Sequence, residues 1–151
     1  CSHNVSGAMG IIVNKPTLEL KFEDILMQLK INSSIVCKTQ KIFFGGPVEY
    51  GRGFVVHSAD YESSKASIMI RDDYFLTASK EILEDIANGC GPKNSLLALG
   101  YAGWGPGQLE NEIFSDSWLV CEPDPNLVFT IRPEFKWNDG LKILGVEPSQ
   151  L

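Results

Sequence analysis

The densest concentration of unusual residue types in the chain is Gly100-Tyr101-Ala102-Gly103-Trp104-Gly105-Pro106-Gly107-Gln108-Leu109-Glu110-Asn111-Glu112. Its four glycines in eight residues lie between an apolar run and a helix start, where the backbone can turn sharply and present N–H groups to an anion. A phosphate cradle does not follow. No P-loop sequence is present, and the position that would complete GxGxxG from Gly103 is Gln108. Glu110 and Glu112 would also repel a phosphate. The segment therefore reads as a tight loop with positive φ angles, in which Gly103, Gly105 and Gly107 set the backbone and Trp104, Gln108 and Glu110 present side chains to a partner or ligand. Residues two apart on a helix point about 200° apart, so Glu110 and Glu112 cannot easily share a metal. They complement the positive end of a helix instead, and only one of them can join a site built around the loop.

His57 precedes Ser58, Asp60 and Tyr61, which brings a serine-histidine-aspartate set to mind. Sequence proximity is not triad geometry, and the chain has no GxSxG elbow. His57 reads as a strand-end histidine hydrogen-bonded to its surroundings. Cys90, flanked by Gly89 and Gly91, follows a helix and has no evident base, so it reads as a helix-end cysteine. Trp118 and Trp137 read as core. Trp104 has small neighbours and no apolar periodicity; it either packs back over its own loop or serves as a binding anchor.

The elements that must position these residues follow from periodicity. Gly10 to Val13 reads as a strand ended by Pro16-Thr17. Apolar residues at 22, 25, 26 and 29 predict a helix from Phe22, with Glu23 and Asp24 in its first turn. Strands are expected at Lys41 to Phe44, Arg52 to His57 after a Tyr50-Gly51 turn, Ser67 to Arg71 with Ile68 and Ile70 on one face, and Tyr74 to Leu76. A second helix capped by Thr77 or Ser79 turns Ile82, Leu83 and Ile86 inward and stops at Gly89. Ser95 to Leu99 is an apolar strand, Pro106 to Phe114 a short helix, and Trp118 to Cys121 and Leu127 to Ile131 further strands. Pro133 opens a last helix, closed by Gly145, whose Trp137, Leu141 and Leu144 face the core. Strands and helices mix without βαβ alternation, which points to α+β. No repeat or linker divides the 151 residues, so one domain is expected.

Composition narrows the function classes. A chain of 151 residues with 44% hydrophobic residues can bury a core without staples. No run approaches the ~20 apolar residues of a bilayer helix. Thirteen Lys and Arg against nineteen Asp and Glu give a net charge of -6, with scattered cations apart from the Lys38 and Lys41 neighbourhood, so nucleic acid is a poor partner. Cys1, Cys37, Cys90 and Cys121 have no zinc-like spacing and read as reduced thiols of a cytoplasmic protein; no metal or cofactor is expected. Asn4-Val5-Ser6 and Asn32-Ser33-Ser34 match the glycosylation triplet, which matters only in a secretory protein. The start at Cys1 carries no signal layout and reads as the start of a piece of a longer protein.

Gly7-Ala8-x-Gly10 with Asn14-x-Pro16-Thr17, Gly45-Gly46-Pro47-Val48, the whole segment from Gly100 to Ile113, Trp118, Trp137 and Leu144-Gly145 resemble the YqgE/AlgH family of bacterial proteins along essentially the full chain. The resemblance implies an α+β fold whose bent mixed or antiparallel sheet forms a partial barrel with helices packed outside. Similar proteins carry about one more strand pair before the Gly7 motif (a length compatible with one domain). A sheet edge left open by their absence would favour edge pairing or a homo-oligomer. The family's label as a transcriptional regulator of alginate synthesis finds no helix-turn-helix or basic recognition helix here.

The leading reading is a non-enzymatic cytosolic protein that recognises a protein partner or small ligand through loop 100–112, with a regulatory role. Its candidate binding residues are Trp104, Gln108, Glu110, Glu112, Asn14 and His57. A hydrolase using His57 and one loop carboxylate is the alternative, and requires His57 within hydrogen-bond reach of Glu110 or Glu112. A DNA-binding regulator is the third.

Overall fold

The structure is a computed structural model and describes residues 1–32, 40–62 and 67–151; Cys37, Lys38 and two residues of the Asn32-Ser33-Ser34 triplet lie outside the described residues. In chain order the strands and α-helices are β1 (Ser2–Asn4), β2 (Gly7–Gly10), α1 (Phe22–Gln28), β3 (Ile42–Phe44), β4 (Val48–Ser58), β5 (Ser67–Arg71), β6 (Tyr74–Thr77), α2 (Lys80–Ala87), β7 (Ser95–Trp104), α3 (Gln108–Phe114) and α4 (Pro133–Leu144). Among the described residues the strands join in the order β1-β2-β7-β4-β6-β5. The pairs along this path are antiparallel, while β3 lies parallel to β7. Cys1 and Met9 from one end and Ile70 from the other pack on a shared cluster with Phe54, Val56 and Leu76. The bent sheet thereby becomes a nearly closed barrel, in the α+β class expected from the sequence.

β7 is the spine. Its first half is buried on both faces, as an uninterrupted apolar run requires when both sides of a sheet are covered. Leu97 and Leu99 meet α1 (Phe22, Ile25, Leu26) and α2 (Ile82, Leu83, Ala87). Leu96 and Ala98 point the other way, with Phe43 and Phe129. One edge of β7 pairs with β4, and the other pairs with β3 over Leu97–Leu99 and then with β2 over Ala102–Trp104.

The change of neighbour happens where side chains are missing. Gly100 has φ 72° and Gly46 φ 155°. A Cβ on Gly100 would collide with the Gly46 carbonyl, and one on Gly46 with the Tyr101 backbone. The crossing is fixed by Gly45 N–H donating to Leu99 O at 2.8 Å and Ile12 N–H donating to Gly45 O at 2.9 Å.

Several expectations change. The Gly-rich segment is strand as far as Trp104, and of Gly103, Gly105 and Gly107 only Gly107 has a positive φ, 71°. The early strand is Gly7–Gly10 instead of Gly10 to Val13, because pairing with β7 ends at Gly10. No turn separates Tyr50 from β4; a register shift between Val48 and Gly53 absorbs the irregularity within one strand. Leu127 to Ile131 is not a strand. Asn126–Thr130 forms a wide helical turn with Ile131 N–H donating to Asn126 O, started by Asp124, whose carboxylate accepts Asn126 N–H at 2.7 Å. Trp118 to Cys121 lies outside the sheet.

Helices α1 and α2 match their predicted inner faces, save that Leu29 follows α1 and Ile86 is half-buried. In α4 Leu141 is buried as expected and Leu144 half-buried, but Pro133 and Lys136 complete the inner face while Trp137 is 54% exposed. The Lys136 ammonium is tolerated inside because it donates to Val13 O at 2.9 Å and Val128 O at 2.6 Å.

The glycine crossing yields a contrast. Gly100→Ala should destabilise by about 2 kcal/mol or more in urea unfolding, from a positive φ and a backbone collision. At Gly103 φ is not positive and a Cβ would lie 3.4 Å from the Tyr101 ring, so Gly103→Ala should stay within about 1 kcal/mol of the parent. Equal losses at both sites would contradict this account of the strand.

Candidate functional site: the α3 corner

Beyond Trp104 the chain turns through Gly105-Pro106-Gly107 and enters α3, with Gly107 in the left-handed region as its N-cap. Pro106 therefore precedes the helix instead of opening it. Gln108 braces this turn: its Oε1 accepts Gly105 N–H at 3.0 Å while its Nε2 donates to Glu112 Oε1 at 2.9 Å. The other Glu112 oxygen accepts Trp104 Nε1–H at 3.0 Å and Trp118 Nε1–H at 2.7 Å. One carboxylate thus gathers three donors. The two indoles meet edge to face, with ring centroids 5.8 Å apart at 74°, a favoured aromatic geometry. Hydrogen bonds from Trp118, Gln108 and Trp104, in that order, hold the Glu112 carboxyl below its ordinary range.

Glu110 points elsewhere, as the helical spacing requires. It meets His3 Nε2 at 2.9 Å and so links α3 to β1. Its own backbone N–H and then His3 keep its carboxyl low. The Trp104 ring lies over β2, where a Cβ on Gly10 would touch it at 3.3 Å. Trp104 also lines two open clefts of about 510 and 680 Å³, one shared with Tyr101 and Val48, the other with Met69 and Leu109. Trp104 thus packs back on its neighbours and still faces open clefts.

Trp104, Gln108 and Glu112 form one hydrogen-bonded unit, and Glu110 lies on the adjoining face of α3. Trp118, read from the sequence as core, is 47% exposed and belongs to this unit. Trp118 lacks the small neighbours that set Trp104 apart, since Leu119 and Val120 follow it. α3 buries none of its side chains. Beside the indoles it exposes Ile113 and Phe114, the latter 90% exposed, and the following segment exposes Leu119 and Val120.

Asn14 and His57 are not part of the corner. Asn14 is exposed on the segment beside β3, next to Lys15, whose carbonyl accepts Phe44 N–H. His57 is completely buried and pairs with Ser95, at the far end of β7 from Trp104, roughly 30 Å away at the usual rise per strand residue. The carboxylate partners required by the hydrolase reading are thus out of reach. Its Nδ1 faces Ser58 O at 2.9 Å and its Nε2 faces Thr77 Oγ1 at 2.9 Å, which in turn meets Ser67 Oγ at 2.6 Å. A neutral ring satisfies all three contacts: Nδ1–H donates to the carbonyl, and Nε2 accepts from Thr77 while Thr77 accepts from Ser67. Ser58 Oγ donates to Asp60, not to the ring. Burial pushes the His57 pKa down against smaller opposing effects of the Ser58 carbonyl and Asp60. Cys90 is exposed beyond the end of α2.

These features define a class: a nearly closed α+β barrel with a short, unburied helix pinned to its spine by a tryptophan-carboxylate cluster. The family model described as AlgH-like, DUF179, matches residues 1–149, and the chain belongs to that family. A UPF0301 protein of Methylobacterium sp. strain 4-46 is 46% identical, over 100% of this chain and 75% of its own length. A UPF0301 protein of Ruegeria pomeroyi is 48% identical, over 97% and 80%. The solution structure of the AlgH protein from Pseudomonas aeruginosa, itself of UPF0301, superposes with a TM-score of 0.82 at 38% identity, over 99% of this chain and 78% of that one. A Corynebacterium diphtheriae protein shares the fold at TM-score 0.68 and 19% identity, over 93% and 73%.

Two titrations follow. Protonating Glu112 takes the charge from the acceptor shared by both indoles and weakens both bonds, so the Trp104 and Trp118 indole N–H resonances should shift together with a midpoint below the ordinary 4.5. Independent movement, or a midpoint at or above that value, would contradict the shared carboxylate. At His57 the unfolded chain takes up protons at higher pH than the folded one, so the stability contribution of its neutral ring is full above its ordinary 6.5 and declines as pH falls below it. Urea unfolding between pH 8 and pH 5 should show that decline, and a flatter dependence in His57→Gln. An unchanged slope in the variant would show that another group carries it.

Proposed function

We propose that this chain is a cytosolic, non-catalytic recognition module that docks a protein partner on the α3 corner and regulates that partner by binding it. The observation that carries this reading is the immobilisation of two partly exposed indoles by Glu112 beside the apolar side chains of Ile113, Phe114, Leu119 and Val120. Aromatic anchors fixed before encounter lose little side-chain freedom on binding, which is how a small patch gains affinity. The exposed apolar neighbours favour a protein surface over a small polar ligand. The cytosolic part of the reading rests on the free thiols of Cys1, Cys90 and Cys121.

A photoreactive benzoylphenylalanine in place of Phe114, incorporated in living cells, tests the docking face. It should yield a discrete adduct that is absent when the probe replaces the exposed Glu81 on α2, and that disappears in Trp118→Ala protein of unchanged melting temperature. Adducts that are identical from both positions, or insensitive to Trp118→Ala, would overturn the reading.

A further inference from the structure

At the end of the barrel opposite the α3 corner, four cations converge from three stretches of chain: Lys41 before β3, Lys93 before β7, and Arg132 and Lys136 at the start of α4. They line a cavity of about 410 Å³. No Asp or Glu lines it among the described residues, although acidic residues outnumber basic ones in the chain as a whole. Two carboxylates outside the lining contact these cation-bearing residues. Glu134 meets Arg132 Nε at 3.5 Å, and Asp60 accepts the backbone N–H of Lys93 at 3.0 Å.

Lys136 is the built part of this site. It is 95% buried by exposure of 5%, its ammonium donates to two carbonyls and lies 5.3 Å from the centre of the Phe43 ring, and its contacts among the described residues include no carboxylate. An ammonium has three N–H donors, so one remains after the two carbonyls. A charge this deep is costly without a counter-charge, and the charge that acts on it here is another cation, Lys41. Burial first and Lys41 second lower the Lys136 pKa to about 8. Bound anion would reverse both effects. The rest of the wall mixes apolar side chains, Phe129 and Leu96 among them, with the polar Gln40, Asn94, Ser95 and Thr130, and the volume suits a small organic molecule better than a bare inorganic ion.

We propose that this cavity binds a phosphorylated small molecule of mononucleotide size, its phosphoryl oxygens among Lys41, Lys93, Arg132 and Lys136 and its flat apolar part against Phe129. Charge-assisted hydrogen bonds from several cations to phosphoryl oxygens are the strong kind, and the aromatic wall distinguishes such a ligand from free phosphate. The site is independent of the α3 corner, so the two readings stand or fall separately.

Two-dimensional NMR titration with ADP, and separately with pyrophosphate, tests the proposal on the folded chain. ADP should give saturable shifts confined to the backbone near Lys41, Lys93 to Leu96 and Phe129 to Lys136, with the indole resonances of Trp104 and Trp118 unmoved. Lys41 and Lys93 are exposed, so the Lys41→Gln/Lys93→Gln variant should keep its fold and bind ADP about tenfold or more weakly. Pyrophosphate should bind more weakly than ADP. No saturable shifts at millimolar ADP, or unchanged affinity in the double variant, would overturn the site. Pyrophosphate binding as tightly as ADP would overturn the mononucleotide-sized ligand, and a preference for duplex DNA over ADP would overturn the small-molecule reading.

Discussion

Everything in this molecule depends on a contact made without side chains, where Gly45-Gly46 crosses Gly100-Tyr101. A hydrogen-bonded strand has two edges, and β7 uses one of them for β4 along most of its length. The other edge must serve β3 first and β2 afterwards. Changing partner within one strand demands a bend, and bending against a neighbouring backbone demands that no Cβ stand between them. The positive φ of Gly100 supplies the bend, and the two glycines before Pro47 supply the clearance. Without this crossing β2 would have no edge to join, and the barrel would stay open.

The same bend determines where the candidate site stands. It delivers Trp104 to the rim of the barrel, from which α3 continues as a short helix that buries nothing of its own. A helix of seven residues is too short to persist by propensity alone. It is held instead by Glu112 and Gln108 from within and by His3 from β1. The corner is therefore rigid through polar contacts while its apolar side chains face outward, an arrangement that suits recognition better than core formation. At the opposite end of β7 the chemistry is reversed: the His57 ring is satisfied by Ser58 and Thr77, and cations line a cavity that includes Ser95 and Leu96.

Much of this was legible in the sequence. Helical spacing located α1 and α2, and Gly145 and Gly89 marked helix ends with the positive φ expected there. The four glycines between Gly100 and Gly107 mark the segment that leads into α3 by residue type alone. What escaped was set by partners distant in sequence. Glycines read as loop because they lower strand propensity, yet Gly103 remains strand because the backbone of β2 pairs with it at Met9. Lysine ordinarily faces water, and the burial of Lys136 depends on two carbonyls, one of them 123 positions away. Trp118 reads as core with the strand expected at Trp118 to Cys121, and nothing local reveals that Glu112 holds its indole. The run Leu127 to Ile131 has strand composition, and the Asp124-Pro125 start diverts it into a helical turn.

If the glycine crossing is the constraint on which the barrel depends, its hydrogen bonds should be among the last to open. Native-state amide hydrogen exchange measures this directly. The amides of Gly45 and of Leu97 to Leu99 should exchange only by global unfolding, with the free energy obtained from denaturant titration, while those of α3 exchange through smaller local openings. Exchange of Gly45 and Leu97 to Leu99 through a local opening, with α1 and α2 still protected, would show that the helices and their apolar contacts hold the fold and that the crossing is a consequence of it.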